Sequence, residues 1–304
     1  MNATALKPHL GWPLFMLFVT GVAYGLTYSL TGTAVRAGVP LIAYVFWLGL
    51  GAGVIMLVLS FLFRAPPGVS FAHIKGFTVT GTTGFAIPYI IVAIVLERNL
   101  PAGVMSMIIA LAPLMTYLGA VIFRLERAWW LRFLGLIAGI GGIVLIAVPE
   151  ASLPSPDLVV WVLIALLVPL GYATTTIAAA LMRPPAMDSL AFSAGFFLAP
   201  LPILAVAMVA RGDLWVFGGT FGEGEWALVL SMVVQGLGIY LFLELVMLMG
   251  PVFFTTVNFI TPITGILFGM AFFGERLSFW VLIALVPLFL GLLLVILPRK
   301  TAAP

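Results

Sequence analysis

The chain has 304 residues, of which 63% are hydrophobic and 8% charged, with a formal net charge of +3 and no cysteine. Soluble domains are roughly 45–50% apolar and about 25% charged, so this sequence cannot cover a globule with polar surface and its natural solvent is lipid. Without cysteine, disulfides, thiolate metal sites and cysteine nucleophiles are excluded. The cations form no cluster and sit at the ends of apolar runs, so nucleic acid is not an expected partner, whereas a lipid bilayer is.

A helix needs about 20 apolar residues to span a bilayer. On that measure the chain reads as ten spans, over 12–35, 40–63, 75–96, 101–123, 129–148, 158–181, 188–210, 226–248, 251–273 and 278–297. The first run follows a single Lys7 and resembles a signal peptide, but it exceeds the length of a signal h-region and reads as a span. Pro40, Pro101 and Pro251 stand where a first helical turn tolerates a missing N–H. Gly250 suits a left-handed helix end, and Asp157 suits an N-cap for the sixth helix. Links as short as Met249-Gly250-Pro251 force consecutive helices to run antiparallel.

With a cytoplasmic N-terminus, that side would hold Lys7, Arg64, Lys75, Arg124, Arg127, Arg132, Arg183, Arg299 and Lys300. The other side would hold only Arg36, Arg98, Arg211 and Arg276. The excess of basic residues predicts that both termini are cytoplasmic, in a multi-pass protein of the cell inner membrane. No Lys or Arg is expected inside a span.

The two halves repeat. Pro113 recurs as Pro262, Glu126-Arg127 as Glu275-Arg276, Ser106 as Thr255 and Pro149 as Pro298, all at one offset (262 − 113 = 149) with no gap. Such self-similarity marks a duplication. The first repeat covers 1–148, a linker 149–157, and the second repeat 158–304. Each repeat holds five spans, an odd number, so the second must enter the membrane upside down. The expected fold is therefore all-α integral membrane, with ten transmembrane helices as two inverted five-helix repeats. Inverted repeats are common in secondary transporters, whose solute sites lie near the midplane where the repeats meet.

The run Pro113…Leu125-Glu126-Arg127…Gly135 and the run Pro262…Gly274-Glu275-Arg276 resemble the paired repeats of the drug/metabolite transporter superfamily, specifically its EamA-like ten-helix members. The resemblance covers essentially the whole chain. It implies an exporter-type carrier with a central cavity lined mainly by helices one, three, four, six, eight and nine, for amino acids, other metabolites or drugs. Where the family often carries an Arg seven residues after the proline opening the second helix, this chain has Trp47.

Candidate solute-binding residues are polar side chains on inward faces. Thr20, Tyr24, Thr27, Tyr28 and Thr31 share one face of the first helix. Tyr24 is mid-span, away from the headgroup level where aromatic belts form, and Tyr172 is its counterpart one position off the main register. Thr82, Phe85 and Tyr89 follow beside Pro88, then Ser106, Gln235, Thr255, Asn258 and Thr261. For each threonine, packing between helices competes with a solute role. Pro113 and Pro262 free the carbonyls of Ile109 and Asn258 and are candidate hinges. Glu244 is the one acid well inside a span, hence a candidate coupling or amine-binding group. It lies nine residues past Gln235, on the opposite helix face, with Tyr240 in reach for a hydrogen bond. Glu126 and Glu275 read as charges facing the positive end of the helix that follows each, and Gly135, Gly139 and Gly142 read as a close-packing face.

No metal site is expected, since His9 and His73 have no companions, and no cofactor. Acid–base or metal clusters of a membrane enzyme are missing. The expected activity is export of a small neutral or zwitterionic metabolite, amino acids first, by alternating access, because no internal cation would balance a phosphate. A non-transporting scaffold or sensor, or an exporter of amphipathic drugs, are the alternatives, and the protein is expected as a monomer or homodimer.

Overall fold

The computed structural model describes residues 10–64, 66–147, 153–182, 187–217 and 221–297. Lys7, His9, Pro149, Arg183, Pro298, Arg299 and Lys300, which enter the charge count, the metal reading or the repeat register, lie outside those segments, as do linker residues 149–152. The described residues contain ten helices long and apolar enough to cross a membrane: α1 (Gly11–Arg36), α2 (Leu41–Leu62), α3 (Phe71–Glu97), α4 (Ala102–Ile122), α5 (Trp130–Ala147), α6 (Leu158–Ala178), α7 (Ser189–Arg211), α8 (Glu223–Met249), α9 (Phe253–Phe273) and α10 (Phe279–Ile296). The span pattern agrees with the hydropathy reading. α3 and α8 each begin about one turn before the expected apolar run, because polar first turns still form hydrogen-bonded helix.

Several spans are interrupted near proline. α3 passes through a π-helical turn, Thr82–Ala86, immediately before Pro88, whose ring cannot donate to the carbonyl of Gly84. α4 breaks between Ile109 and Ala112, just ahead of Pro113. The equivalent Pro262 lies inside the unbroken segment Val257–Phe273, and α9 is interrupted earlier, at Thr256. The prolines share a repeat position but not a local structure. Helix ends also depart from expectation in two places. Asp157 occupies the N-cap of α6 without a side-chain hydrogen bond. Gly250 has φ 87° but ψ 163°, an extended turn rather than a left-handed helical one; Gly212 and Gly274 supply left-handed ends, for α7 and α9.

Inversion of the repeats is visible in how equivalent helices cross. Gly135 of α5 faces the carbonyl of Gly291 in α10, and Gly142 faces the carbonyl of Ala284; an added Cβ would lie only 2.8 and 3.0 Å from those oxygens. The repeat offset maps Gly142 onto Gly291 and Gly135 onto Ala284, so each contact is the image of the other, as a two-fold axis requires. As one index rises the other falls, which makes α5 and α10 antiparallel. The same order holds for α2 and α7, where Gly49 meets Leu201 and Gly53 meets Phe197. It holds again for α4 and α9, where Gly103 meets Ile266 and Ser106 approaches the carbonyl of Pro262. Three pairs of equivalent helices crossing antiparallel can only come from oppositely inserted repeats.

The first helix of each repeat is embedded in the other repeat. α1 packs chiefly on α8 and α9, and α6 packs on α3 and α4. The interior is apolar and closely filled, with Tyr44, Phe85, Met105, Leu111, Leu114 and Phe197 fully buried. The exterior is apolar too. Ile137, Ile140 and Val144 on α5 and Leu282, Val286, Leu290 and Leu293 on α10 are exposed at helical spacing, which suits a hydrocarbon solvent.

Candidate functional site

Five tyrosines converge between the repeats. Tyr24 and Tyr28 come from α1, Tyr44 from α2, Tyr89 from α3 and Tyr172 from α6. Tyr172 lies within electrostatic range of Tyr24, Tyr28 and Tyr89, and Tyr89 is in range of Tyr44 as well. Tyr28 and Tyr89 are buried, and Tyr44 completely so. The α1 tyrosines arrive together because positions four apart lie on one face.

α8 closes the other side of this cluster. The Tyr24 hydroxyl donates to the carbonyl of Gly238 (3.2 Å). That approach requires glycine, because a Cβ at 238 would lie 2.8 Å from Cε1 of the Tyr24 ring. One helical turn before Gln235, the Ser231 hydroxyl accepts from Tyr44 (3.1 Å) and donates to Ala227 O (2.7 Å). Thr31 sits 2.9 Å from the Tyr44 hydroxyl. Gln235 shares this inward face, between Ser231 and Gly238. It is buried at 4% exposure and its Oε1 has no hydrogen-bond partner. Thr82 Oγ1, in the π-helical turn of α3, is likewise buried and unpartnered. Buried acceptors without partners are rare and call for a ligand or water.

The other expected residues are placed differently. Thr27 donates to Ala23 O (3.0 Å), Thr261 to Val257 O (3.2 Å), and the Asn258 amide to Thr255 O (3.0 Å). These side chains turn back on their own helices, the packing role that competes with solute binding. Ser106 donates to Gly103 O (2.7 Å) and packs against Gly265 at the α4–α9 crossing. Thr255 is half-buried in the first segment of α9. Pro113 and Pro262 are buried. Glu244 points away from the tyrosine cluster, into a cleft on the far face of α8, and no hydrogen bond joins it to Tyr240.

One residue, Tyr44, escaped the sequence reading, and another, Trp47, was named there without a role. Tyr44 was missed because it lies one turn beyond Pro40, where an aromatic reads as an interfacial anchor. Trp47, standing where the family often has Arg, donates through Nε1 to Trp215 O (2.8 Å) and meets the Phe217 ring edge-on at 5.3 Å. It fastens the α7–α8 loop.

The charged helix ends also correct the expectation. Glu275 does not serve the helix that follows it, since Ser278 accepts from Val281 N at the start of α10. Its Oε1 accepts from Ala102 N (2.7 Å) and its Oε2 from Gly103 N (3.1 Å), at the start of α4 in the other repeat. Arg36, at the end of α1, lies in electrostatic range, donates to Leu96 O (3.1 Å) and stacks 4.3 Å over Phe273. Burial pushes the Glu275 carboxyl above the usual range, against the two N–H bonds and Arg36 that pull it down. Glu126 instead forms an ion pair with Arg132, a cation that falls within the first turn of α5. Among the described residues no cluster of His, Asp and Glu is arranged to hold a metal ion.

Residues 11–148 and 159–297 each match the EamA-like transporter family. The chain belongs to that family. It is thus a multi-pass membrane protein of the drug/metabolite transporter type, with the family unit present twice. No curated protein matches the chain. A solved structure described as "Crystal structure of protein" aligns with 96% of this EamA-like chain and 99% of its own, at 18% identity and a TM-score of 0.62. At that identity the likeness concerns the fold alone.

Proposed function

We propose that this EamA-like protein exports a small neutral or zwitterionic metabolite, amino acids first, across the cell inner membrane by alternating access, with both termini cytoplasmic. The observation that carries the reading is Gln235, a buried, unpartnered acceptor on the face of α8 where Ser231 and Gly238 bond Tyr44 and Tyr24, in a helix without Lys or Arg. An acceptor asks for a donor, which an ammonium or hydroxyl supplies, and tyrosine faces attract an ammonium through cation–π contact. A multiply anionic solute would meet no compensating charge there, and desolvating it would cost several kcal/mol. Tyr24, Tyr28, Tyr89, Tyr172 and Gln235 are the residues assigned to solute contact, with Tyr44 and Ser231 holding α2 on α8 beside it.

Alternating access needs a tie that forms at one end of the bundle and breaks in the other state. Glu275 supports that role at the end where α1 finishes and α4 begins, because its two bonds join α9 of one repeat to α4 of the other. Its repeat equivalent, Glu126, is engaged with Arg132. By the inverted symmetry, release of Glu275 at one end would accompany engagement of Glu126 at the other, and Pro113, at the break in α4, marks where that helix can bend.

The test is counterflow in proteoliposomes with a panel of amino acids. Uptake that is saturable and reduced at least tenfold by Gln235→Leu is expected. Thermal stabilisation by phosphorylated compounds alone, with no amino-acid flux, would overturn the reading and favour a different solute class; no flux of any solute would favour a scaffold.

A further inference from the structure

The turn from α4 into α5 encloses a small pocket at the end of the bundle. Its volume is about 250 Å³ and it is lined by Glu126, Arg127, Trp129 and Arg132. Arg132 is held there by its neighbours. Its guanidinium lies 5.4 Å from the centre of the Tyr117 ring and 5.9 Å from that of Trp129. The Tyr117 hydroxyl accepts from Trp129 N (2.9 Å), which ties the two rings together. Glu126 takes only the Nη1 end of the guanidinium. Nε of Arg132 is buried and has no hydrogen-bond partner. A planar fork fixed against two rings, with a donor unused, is preorganised for a second acceptor.

Two arginines and one glutamate give the pocket a net charge of 2 − 1 = +1. A third cation, Arg124, stands exposed at the end of α4 with φ 58°. Glycine is the usual residue in that left-handed position, and a side chain kept there against the strain points to a use for it. The second repeat serves as a control. α9 ends on Gly274 in the left-handed conformation. The 149-residue offset matches Arg124, Trp129 and Arg132 to Phe273, Ser278 and Val281. The fold therefore builds this kind of helix connection without the two cations or the indole. The basic pocket belongs to one end of the molecule, so it is fitted to something on one side of the membrane.

The surroundings indicate what that is. Phe123 and Trp130, which flank the pocket in sequence, are exposed at 68% and 69%. Phe133, Ile137 and Ile140 continue the exposed apolar face along α5. A ligand here meets cations at its head and a hydrocarbon-facing helix beside its body.

We propose that this pocket binds the headgroup phosphate of an anionic phospholipid, whose acyl chains lie along α5. A phosphodiester brings one negative charge, and its oxygens can serve Arg127 and the unused Nε while Glu126 stays on Nη1. A zwitterionic headgroup adds its own cation and leaves the charge of the pocket uncompensated. Basic residues are in excess at this end of the bundle, and anionic lipids attract such residues. The site is separate from the tyrosine cluster and does not depend on which solute is carried there.

The test uses the full chain in non-ionic detergent, with native mass spectrometry to count retained ligand. The probes are dioctanoyl phosphatidylglycerol, dioctanoyl phosphatidylcholine and glycerol phosphate. Phosphatidylglycerol should bind saturably, one per chain, at least tenfold more tightly than either of the others. Arg132→Gln and Arg127→Gln should each weaken it about tenfold. Arg127 is exposed, so its variant reports on binding even where loss of the Arg132 stacking unfolds the chain. Arg64→Gln, which changes the left-handed arginine just past α2, should leave the site intact. Equal binding of phosphatidylcholine would overturn the proposal, and so would phosphatidylglycerol binding that Arg127→Gln leaves unchanged in folded protein. Glycerol phosphate binding as tightly as the lipid would overturn it too, and would assign the pocket to a soluble phosphate ester.

Discussion

Glu275, just past the end of α9, holds the first backbone N–H groups of α4 at Ala102 and Gly103, at 2.7 and 3.1 Å. The bond pair joins the second repeat to the first at one end of the bundle. A carboxylate accepting from a helix N-terminus gains from both the charge-assisted bonds and the helix dipole.

Glu275→Gln keeps one acceptor and removes the charge. The closed end should then loosen by about 1 kcal/mol, or about fivefold in the open fraction. The chain has no cysteine, so a single Met105→Cys beneath the tie is a clean reporter. Its labelling by a membrane-impermeant maleimide should accelerate about fivefold in the Gln variant. An unchanged rate would show that the tie does not gate that end.

The same tie should respond to pH. Burial raises the Glu275 carboxyl above its ordinary range, so the folded chain binds this proton at a higher pH than the unfolded chain does. Its contribution to folding stability therefore falls as pH rises from the ordinary value toward the raised one. The raised value already includes the pull of the two N–H bonds and Arg36. The melting temperature should therefore drop as pH rises through that window with Glu275 in place, and drop less in the Glu275→Gln chain.

Gly238→Ala should damage the centre without unfolding the protein. A Cβ there collides with Cε1 of Tyr24 and would push its hydroxyl off the 238 carbonyl. Overpacking of this kind costs about 1–3 kcal/mol. Counterflow should fall at least tenfold, while a Tyr24→Phe chain, which keeps the ring and loses one bond, should lose less. Equal activity of wild type and Gly238→Ala would remove Tyr24 from the solute path.

Gly142→Leu should be a folding defect and not a transport defect. Gly142 meets the backbone of α10 at Ala284, where a large side chain forces the two terminal helices apart. A loss of several kcal/mol is expected, read as a drop in melting temperature, and Ile140→Leu on the exposed face of α5 should change nothing.

Repeat inversion carries a topological expectation that labelling can reach. Cysteines replacing Arg127 and Arg276 should react from opposite faces of the membrane. Reaction of both from one face would contradict the antiparallel crossing of α5 with α10.

Much of the architecture was readable along the chain, because lipid permits one backbone solution per span and the duplication is written in one register. Ten apolar runs, the offset joining Pro113 to Pro262, and the odd number of spans per repeat lead to inverted helical repeats with no coordinates needed. The face of Tyr24 and Tyr28, and the opposition of Gln235 to Glu244 on α8, follow from 100° per residue alone. The polar candidates were over-counted for a local reason: Thr27, Asn258 and Thr261 satisfy themselves on their own helices, and a hydroxyl in a sequence does not announce its acceptor.

What the sequence determined by itself is the solvent, the number of spans and the duplication, since each depends only on composition and period. The fold decided the rest. That Tyr44 joins Tyr24 through α8, that Glu275 caps α4 and not α10, and that Pro113 sits at a break while Pro262 does not are all contacts between segments distant along the chain. Their energies depend on which helix faces which, and no local pattern encodes that.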